Sequence, residues 1–316
     1  MRPLFVLSLL SHIAYEIIKF FTIFLFKNIV TILYEDVVLL VEDIYMNGII
    51  DVEDDRGFLK RFEKYDSNEI HKITYVYERN DSSNFDKICD FFNLNSIAGK
   101  GTELKKLTNL RHWVYTMFQG RGDHTICAPK ESRKHWNIFT INENMMRSPF
   151  TADCGTIALI MTEVLLSMGW KARWIQCLPL DLRQNESHCV THVWSEEYNK
   201  WIIIDAAQDV FYFNSKAIPY GLPDLRDAII NNDRILIYST AEKQKGMLWL
   251  KQYWVKNIFR FHTLGFSGFD MFSLKKQEHY YLNPLGYELS DKIVKDEQNI
   301  DIHINTHNYE EFWEIK

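Results

Sequence analysis

The chain has 316 residues, of which 47% are hydrophobic and 15% aromatic, so it can bury a substantial core and is not a disordered protein. Its net charge of -6 and pI near 6.0 come without any lysine- or arginine-rich run, which excludes the electrostatic pattern of a nucleic-acid-binding protein. Five cysteines are an odd and low number for this length and do not form a disulfide scaffold. Without a CxxC pair or an HExxH motif, we expect no metal and no cofactor.

Residues 1–50 form a hydrophobic N-terminal segment that is predicted to be helical. Five charges interrupt its apolar part, at Glu16, Lys19, Lys27, Glu35 and Asp36. No uncharged run reaches the 18 residues of a membrane-spanning helix, and each charge at the centre of such a helix costs about 2.5–3.5 kcal/mol. Soluble helices, a membrane anchor and an export signal all remain open, and a cytoplasmic location is favoured over the anchored or exported ones.

The first well-defined helix is predicted to begin after Thr102. Apolar residues recur there every three or four positions, at Leu104, Leu107, Leu110, Val114 and Met117. This period is typical of an amphipathic helix, and Thr102 is a suitable N-cap. Residues 120–150, which follow, are polar and irregular and predict a long loop leading into the next helix.

Asp153, Cys154 and Gly155 open a second helix. Its apolar residues follow the helical period until Gly169, and Asp153 is placed to cap it. A cysteine in the first turn meets the positive end of the helix dipole, which together with a nearby imidazolium lowers the thiol pKa from about 8.5 into the range of roughly 3.5 to 7.5. The alternative is a small apolar side chain that fills the helix start, which is the commoner role of an isolated cysteine.

Three strands are predicted after this helix, over residues 171–177, 189–196 and 201–205, and the last two suggest a hairpin. With Tyr198 and Asn199 as a two-residue turn, paired residues have numbers that sum to 397, so His192 faces Asp205. The same register pairs His188 with Asp209. We favour His192, because the Trp-x-Glu sequence follows it. A carboxylate opposite a histidine orients the ring and stabilises its charge, as a thiolate–imidazolium site requires.

These segments together resemble a known family. In the order of the chain, they match the Cys, His and Asp blocks of the transglutaminase-like superfamily. The resembling residues are 153–155 to 169–173, 192–196, 200–201 and Asp205. The resemblance covers residues 104–213 and implies a papain-like α+β fold, in which a Cys-bearing helix packs on an antiparallel sheet bearing His and Asp. It implies Cys154 as the nucleophile, His192 as the base and Asp205 as the orienting residue. The family includes crosslinking enzymes, peptidases, peptide N-glycanases and inactive members, so the substrate does not carry over.

A thiol enzyme also needs donors for the oxyanion that forms on the attacked carbonyl. The backbone N–H of Cys154 is one candidate. A side chain from the preceding loop is the second, and Trp136 and Asn142 are the candidates for it.

We therefore expect an enzyme that acts on amide bonds of a protein or peptide through an acyl-thiol intermediate. Hydrolysis is favoured over crosslinking, since no calcium-loop pattern is present. The alternative is a catalytically idle domain of the same fold that serves as a binding module. We predict a catalytic domain at 51–215 and a C-terminal α+β extension at 216–316 packed on it. A membrane is a further expected partner only through the N-terminal segment, and no pattern indicates an oligomeric state.

Overall fold

The computed structural model describes residues 52–66, 73–78, 82–118, 125–126, 135–147, 150–180, 187–240, 247–274, 277–287 and 302–314. The predictions for residues 1–50 lie outside these ranges. From Glu53 to Lys316 the chain forms one compact unit. None of the helices in the described ranges is both long enough and apolar enough to cross a membrane.

The helices of the described residues, in chain order, are α1 (Val52–Arg61), α2 (Ser83–Phe92), α3 (Leu94–Ala98), α4 (Glu103–Phe118), α5 (Ile138–Arg147), α6 (Cys154–Ser167), α7 (Leu222–Ile230), α8 (Met247–Asn257) and α9 (Tyr309–Trp313). The strands are β1 (Val76–Tyr77), β2 (Thr125–Ile126), β3 (Thr151–Ala152), β4 (Ala172–Leu178), β5 (His188–Ser195), β6 (Lys200–Ile204), β7 (Val210–Phe213), β8 (Leu236–Ser239), β9 (Arg260–Leu264), β10 (Phe266–Ser267), β11 (Glu278–Leu282) and β12 (Ile302–Thr306). A short 3₁₀ helix covers Met271–Ser273.

The centre of the fold is a six-stranded sheet in the order β12-β11-β9-β4-β5-β6. All neighbours are antiparallel except β11 and β12, which run parallel. The fold is α+β, as predicted, and the predicted antiparallel strands β4, β5 and β6 are confirmed within one residue at each end. The strands β9, β11 and β12 belong to the predicted C-terminal extension, so the sheet crosses the boundary predicted at residue 215.

Helix α6 packs on this sheet and is buried along its length after the first turn. Asp153 caps it, because its Oδ1 accepts a hydrogen bond from the backbone N–H of Thr156 at 2.8 Å. The Thr191 hydroxyl of β5 donates to the carbonyl oxygen of Ala158 at 2.9 Å and joins helix to strand. Four apolar side chains of α6 are fully buried in the core, namely Ile160, Met161, Val164 and Leu165. Truncating one of them to alanine would cost about 2–5 kcal/mol.

Helix α4 begins where the sequence predicts it. The Thr102 hydroxyl accepts a hydrogen bond from the N–H of Lys105 at 3.3 Å, as an N-cap should. The apolar stripe of α4 contributes Leu107, Leu110 and Val114 to the same core as α6. The predicted amphipathic helix is confirmed, and the structure packs it against α6.

The hairpin between β5 and β6 corrects the predicted register. Ser195 pairs with Lys200 and His192 with Ile203, so paired numbers sum to 395 and the loop holds four residues. The Ser195 hydroxyl accepts the N–H of Tyr198 at 3.2 Å, and the carboxylate of Glu103 accepts the N–H of Glu197 at 3.0 Å. Because these bonds satisfy the loop backbone, the wider turn is stable. The residue opposite His192 is therefore not Asp205.

Candidate active site

Cys154 is the first residue of α6, and its thiol lies half-buried beside a cavity of about 370 Å³. Trp136, Trp174 and Phe272 form aromatic walls of this cavity. The Sγ of Cys154 lies 3.7 Å from the carbonyl oxygen of Ser187. A nucleophile at this position meets the positive end of the helix dipole and is open to a substrate.

His188, the first residue of β5, is the histidine that the fold brings to Cys154. It is fully buried, and its Nε2 lies 2.9 Å from Oδ2 of Asp205. The rings of Tyr253 and Trp254 pack edge-on against the imidazole, with centroid distances of 5.0 and 5.1 Å. Burial lowers the pKa of His188, but the charge and hydrogen bond of Asp205 outweigh burial and raise it to about 10. The ring is therefore an imidazolium at neutral pH.

Asp205 is held in place by three donors. Its Oδ2 accepts from the Tyr212 hydroxyl at 2.9 Å as well as from His188, and its Oδ1 accepts from the backbone N–H of Gln208 at 3.1 Å. The residue lies just beyond the end of β6 and forms an isolated bridge with Val210. A buried carboxylate with both oxygens engaged has one orientation, so it fixes the plane of the His188 ring.

The thiol of Cys154 is strongly acidified. A hydrogen bond from the Cys189 thiol lowers the pKa of Cys154 most, burial raises it, and the bond and charge of His188 lower it further, so that the pKa falls well below its usual range. Burial and the neighbouring thiolate raise the pKa of Cys189, which therefore stays protonated as the donor. Cys154 and His188 form a thiolate–imidazolium pair at neutral pH.

His192, the predicted base, lies elsewhere. It is four residues farther along β5 than His188, which is about 13 Å along an extended strand. Its Nε2 accepts the backbone N–H of Leu222 at 3.3 Å, and its ring stacks on Trp201 at 5.3 Å. Burial, Arg173 and Lys200 lower the pKa of His192 well below its usual value, so the ring is neutral. The structure brings together Cys154, His188 and Asp205, and it places His192 apart from them.

The sequence comparison with known families agrees with the fold. Residues 92–206 match the model of the transglutaminase-like superfamily. These residues form a transglutaminase-like domain. The predicted family resemblance is confirmed, and the matched range contains both histidines, so the match does not choose between them.

Two further comparisons add no argument about activity. No curated protein matches the chain. Among solved structures, Legionella pneumophila LapG (EGTA-treated) is similar with 11% sequence identity, over 65% of this chain and 94% of that chain. Its TM-score is 0.26.

The other predicted pairing, of His188 with Asp209, is also wrong. Asp209 is fully buried and binds Arg111 at 2.8 Å and the His112 ring at 2.9 Å. The hydroxyl of Thr240 donates to the same carboxylate at 2.6 Å. Asp209 therefore belongs to a buried ion pair with Arg111. The carboxylate bound to His188 is that of Asp205.

The two side chains predicted as oxyanion donors have different positions. Trp136 lines the cavity of Cys154, and its Nε1 is buried without a hydrogen-bond partner among the described residues. Asn142 lies within α5 and is not among the residues that line this cavity. The backbone N–H of Cys154 is in the first turn of α6, where no intrahelical acceptor exists.

A second cavity, of about 820 Å³, contains His192 and shares no lining residue with the first. Its walls include Trp194, Trp201 and Trp313. Four of its charged side chains form salt bridges, from Lys171 to Glu314 at 2.9 Å and from Lys200 to Asp224 at 2.5 Å. In the described ranges, no group of three or more His, Cys, Asp or Glu side chains is arranged to hold a metal ion.

Sequence reasoning missed three residues around the imidazole, namely Tyr212, Tyr253 and Trp254. Two of them, Tyr253 and Trp254, lie on α8, in the predicted C-terminal extension. Because these contacts join distant parts of the chain, no local pattern indicates them.

Proposed function

We propose that this chain is a thiol enzyme that attacks amide bonds in proteins or peptides, with Cys154 as nucleophile, His188 as acid and base, and Asp205 as the orienting carboxylate. One observation carries the proposal: Asp205 binds Nε2 of the buried His188 at 2.9 Å, which leaves Nδ1 of the same ring for the Cys154 thiol. The acidified thiol of Cys154 interacts with this same ring. That arrangement matches the roles of nucleophile, base and orienting group.

In the first half-reaction, the Cys154 thiolate attacks the amide carbonyl carbon and the carbonyl electrons move to oxygen. The backbone N–H of Cys154 and Nε1 of Trp136 are the proposed donors to this oxyanion, and removal of one such donor costs about 10²–10³ in kcat. The oxyanion collapses, the C–N bond breaks, and the His188 imidazolium gives its proton to the departing amine. The product of this step is a thioester on Cys154.

In the second half-reaction, the neutral His188 removes a proton from a water molecule that attacks the thioester. Collapse of the second tetrahedral intermediate releases a carboxylic acid and restores the thiolate–imidazolium pair. An amine in place of water would give a new amide, which is the crosslinking outcome. We propose hydrolysis as the main outcome, because the half-buried thiol lies beside an open cavity that water can enter.

The proposal is tested by incubating the full chain with peptide and glutamine-amide libraries, with and without hydroxylamine as an amine acceptor. Mass spectrometry distinguishes free acids from hydroxamates, and Cys154→Ala serves as the inactive control. We expect free acids to dominate. Hydroxamates in excess would favour crosslinking. No conversion by well-folded wild-type protein, together with slow labelling of Cys154, would favour the idle binding module.

A further inference from the structure

Asp153 places a carboxylate at the mouth of the reactive thiol. It precedes Cys154, it is half-buried, and it lines the same cavity. Its Oδ1 accepts the capping bond from Thr156, whereas its Oδ2 has no hydrogen-bond partner within the described residues. One oxygen therefore caps the helix, and the other remains available to a ligand in the cavity.

The walls of the cavity add to this negative character. Trp136, Trp174 and Phe272 line it, and the last two rings pack edge to face at 5.2 Å. The Trp174 ring is fixed, because its Nε1 donates to the carbonyl oxygen of Gly155 at 3.1 Å. The faces of aromatic rings attract cations through their quadrupole.

The charges around the cavity are unbalanced. Among its described lining residues, Asp153 is the one side chain with a formal charge apart from the thiolate of Cys154. His188, whose ring is paired with Asp205 at 2.9 Å, is not among the described residues that line the cavity. A cation that enters the cavity thus meets a carboxylate and aromatic rings, and an anion meets the repulsion of two negative charges.

We propose that this cavity is a substrate subsite that selects a positively charged group, an alkylammonium or a guanidinium, next to the reacting carbonyl. The inference rests on the proposed function, because it concerns substrates of Cys154. The volume of the cavity, about 370 Å³, is within the range of ligand pockets, which runs from about 300 to 1,000 Å³. The charged group belongs to the side chain of the acyl donor or to an incoming amine.

The test uses three small reagents that form a mixed disulfide with Cys154 and differ in charge: 2-aminoethyl, methyl and 2-sulfonatoethyl methanethiosulfonate. Labelling rates of Cys154 are measured by mass spectrometry on the wild type and on Asp153→Asn. Asparagine is an equally good N-cap, so this variant removes the charge and keeps the capping bond. We expect the ratio of cationic to anionic labelling to fall about tenfold in the variant at low salt, and the difference to shrink at high salt.

The neutral reagent is the internal control, because its rate reports the thiolate itself and should change less than about threefold. If Asp153→Asn does not fold, Asp153→Ser supplies another good N-cap without charge. An unchanged ratio of cationic to anionic labelling in a folded variant would overturn the proposal. Slow labelling of Cys154 by all three reagents in the wild type would instead refute the reactive thiol on which the proposed function rests.

Acyl donors separate the two sources of the cation. Peptide esters with lysine, norleucine or glutamate beside the reacting carbonyl are compared by kcat/KM in the wild type and in Asp153→Asn. A preference for lysine that is lost in the variant assigns the subsite to the acyl donor. If the donors react alike, and alkylammonium acceptors instead lose aminolysis in the variant, the subsite belongs to the amine. Equal behaviour of both proteins in both series contradicts the subsite.

Discussion

Strand β5 carries two histidines that share a face and a buried location but have opposite electrostatics. Asp205 raises the pKa of His188 to about 10 against the effect of burial, whereas burial and two nearby cations lower the pKa of His192. One ring is a cation beside a thiol, and the other is a neutral ring stacked on Trp201. The chemistry of a buried histidine therefore depends on its immediate partners rather than on its strand or its flanking motif.

The largest effect on activity is expected when His188 is replaced by alanine, and the same change at His192 is the comparison. His188→Ala should lower kcat/KM by about 10²–10⁴, because the general acid and base is removed. It should also reduce the preference of iodoacetamide for Cys154 over the other cysteines at pH 6, because the bond and charge of His188 help to lower the thiol pKa. The matched control, His192→Ala, should lower kcat/KM less than tenfold in folded protein. The reverse result, with activity lost in His192→Ala alone, would restore the predicted triad.

The second prediction compares the two buried carboxylates. Asp205→Asn should lower kcat by about 10², because the His188 ring loses the charge that stabilises its protonated form. Asp209→Asn should leave kcat nearly unchanged and instead cost about 3–5 kcal/mol in unfolding free energy, because Arg111 stays buried without its counter-charge. Steady-state kinetics and urea unfolding separate the two effects. A catalytic loss in Asp209→Asn without a loss of stability would contradict this assignment.

The third prediction concerns the pH dependence of stability. The raised pKa of His188 stabilises the fold fully below about pH 6.5, and this contribution, of order 3–5 kcal/mol, is lost as the pH rises toward about 10. The lowered pKa of His192 has the opposite sign, since its contribution is present above about pH 6.5 and is lost as the pH falls. Urea unfolding from pH 5 to 10 should therefore give differences from wild type with opposite slopes for the two alanine variants. Parallel slopes would refute the assigned charge states.

The smallest effect is expected at Tyr212. Tyr212→Phe removes one donor to Asp205 and keeps the ring packing, so we expect about 1 kcal/mol less stability and a loss of a few-fold in kcat. Tyr280→Phe is the matched control, because its hydroxyl binds the carbonyl oxygen of Thr74 at 3.0 Å and does not contact Asp205. It should leave kcat unchanged. A similar catalytic loss in both variants would mean that Tyr212 acts through general stability alone.

Local patterns were sufficient for the elements that carry the site. The helical period after Thr102 and after Asp153 predicts α4 and α6, and both caps form as expected. The strands β4, β5 and β6 are recognisable because their residues are apolar and β-branched. These signals depend on neighbours within a few residues, so they can be recognised in the sequence without knowledge of the fold.

Such local signals could not decide whether His188 or His192 is the partner of Cys154. In the observed register, continuing the ladder past Ile204 would set Asp205 opposite Val190, midway between His188 and His192. Register therefore leaves both histidines diagonal to the carboxylate and within reach of it. The carboxylate lies with His188 because Tyr212 and Gln208 hold it there, and these donors come from residues beyond the hairpin.

By itself, the sequence determined the cysteine at a helix start, the strand pair that carries histidine and aspartate, and the superfamily of the domain, since each rests on local periodicity or on motif order. Only the tertiary structure decided that His188 is the partner of Cys154. Helix α6 lies along β5 with its first turn at the strand's first residues, where the Cβ of a side chain at Gly155 would lie 3.7 Å from the Cys189 sulfur. His192 is about 13 Å farther along the strand. The alignment of a helix on a strand is set by packing between residues distant in the chain, which no local pattern encodes.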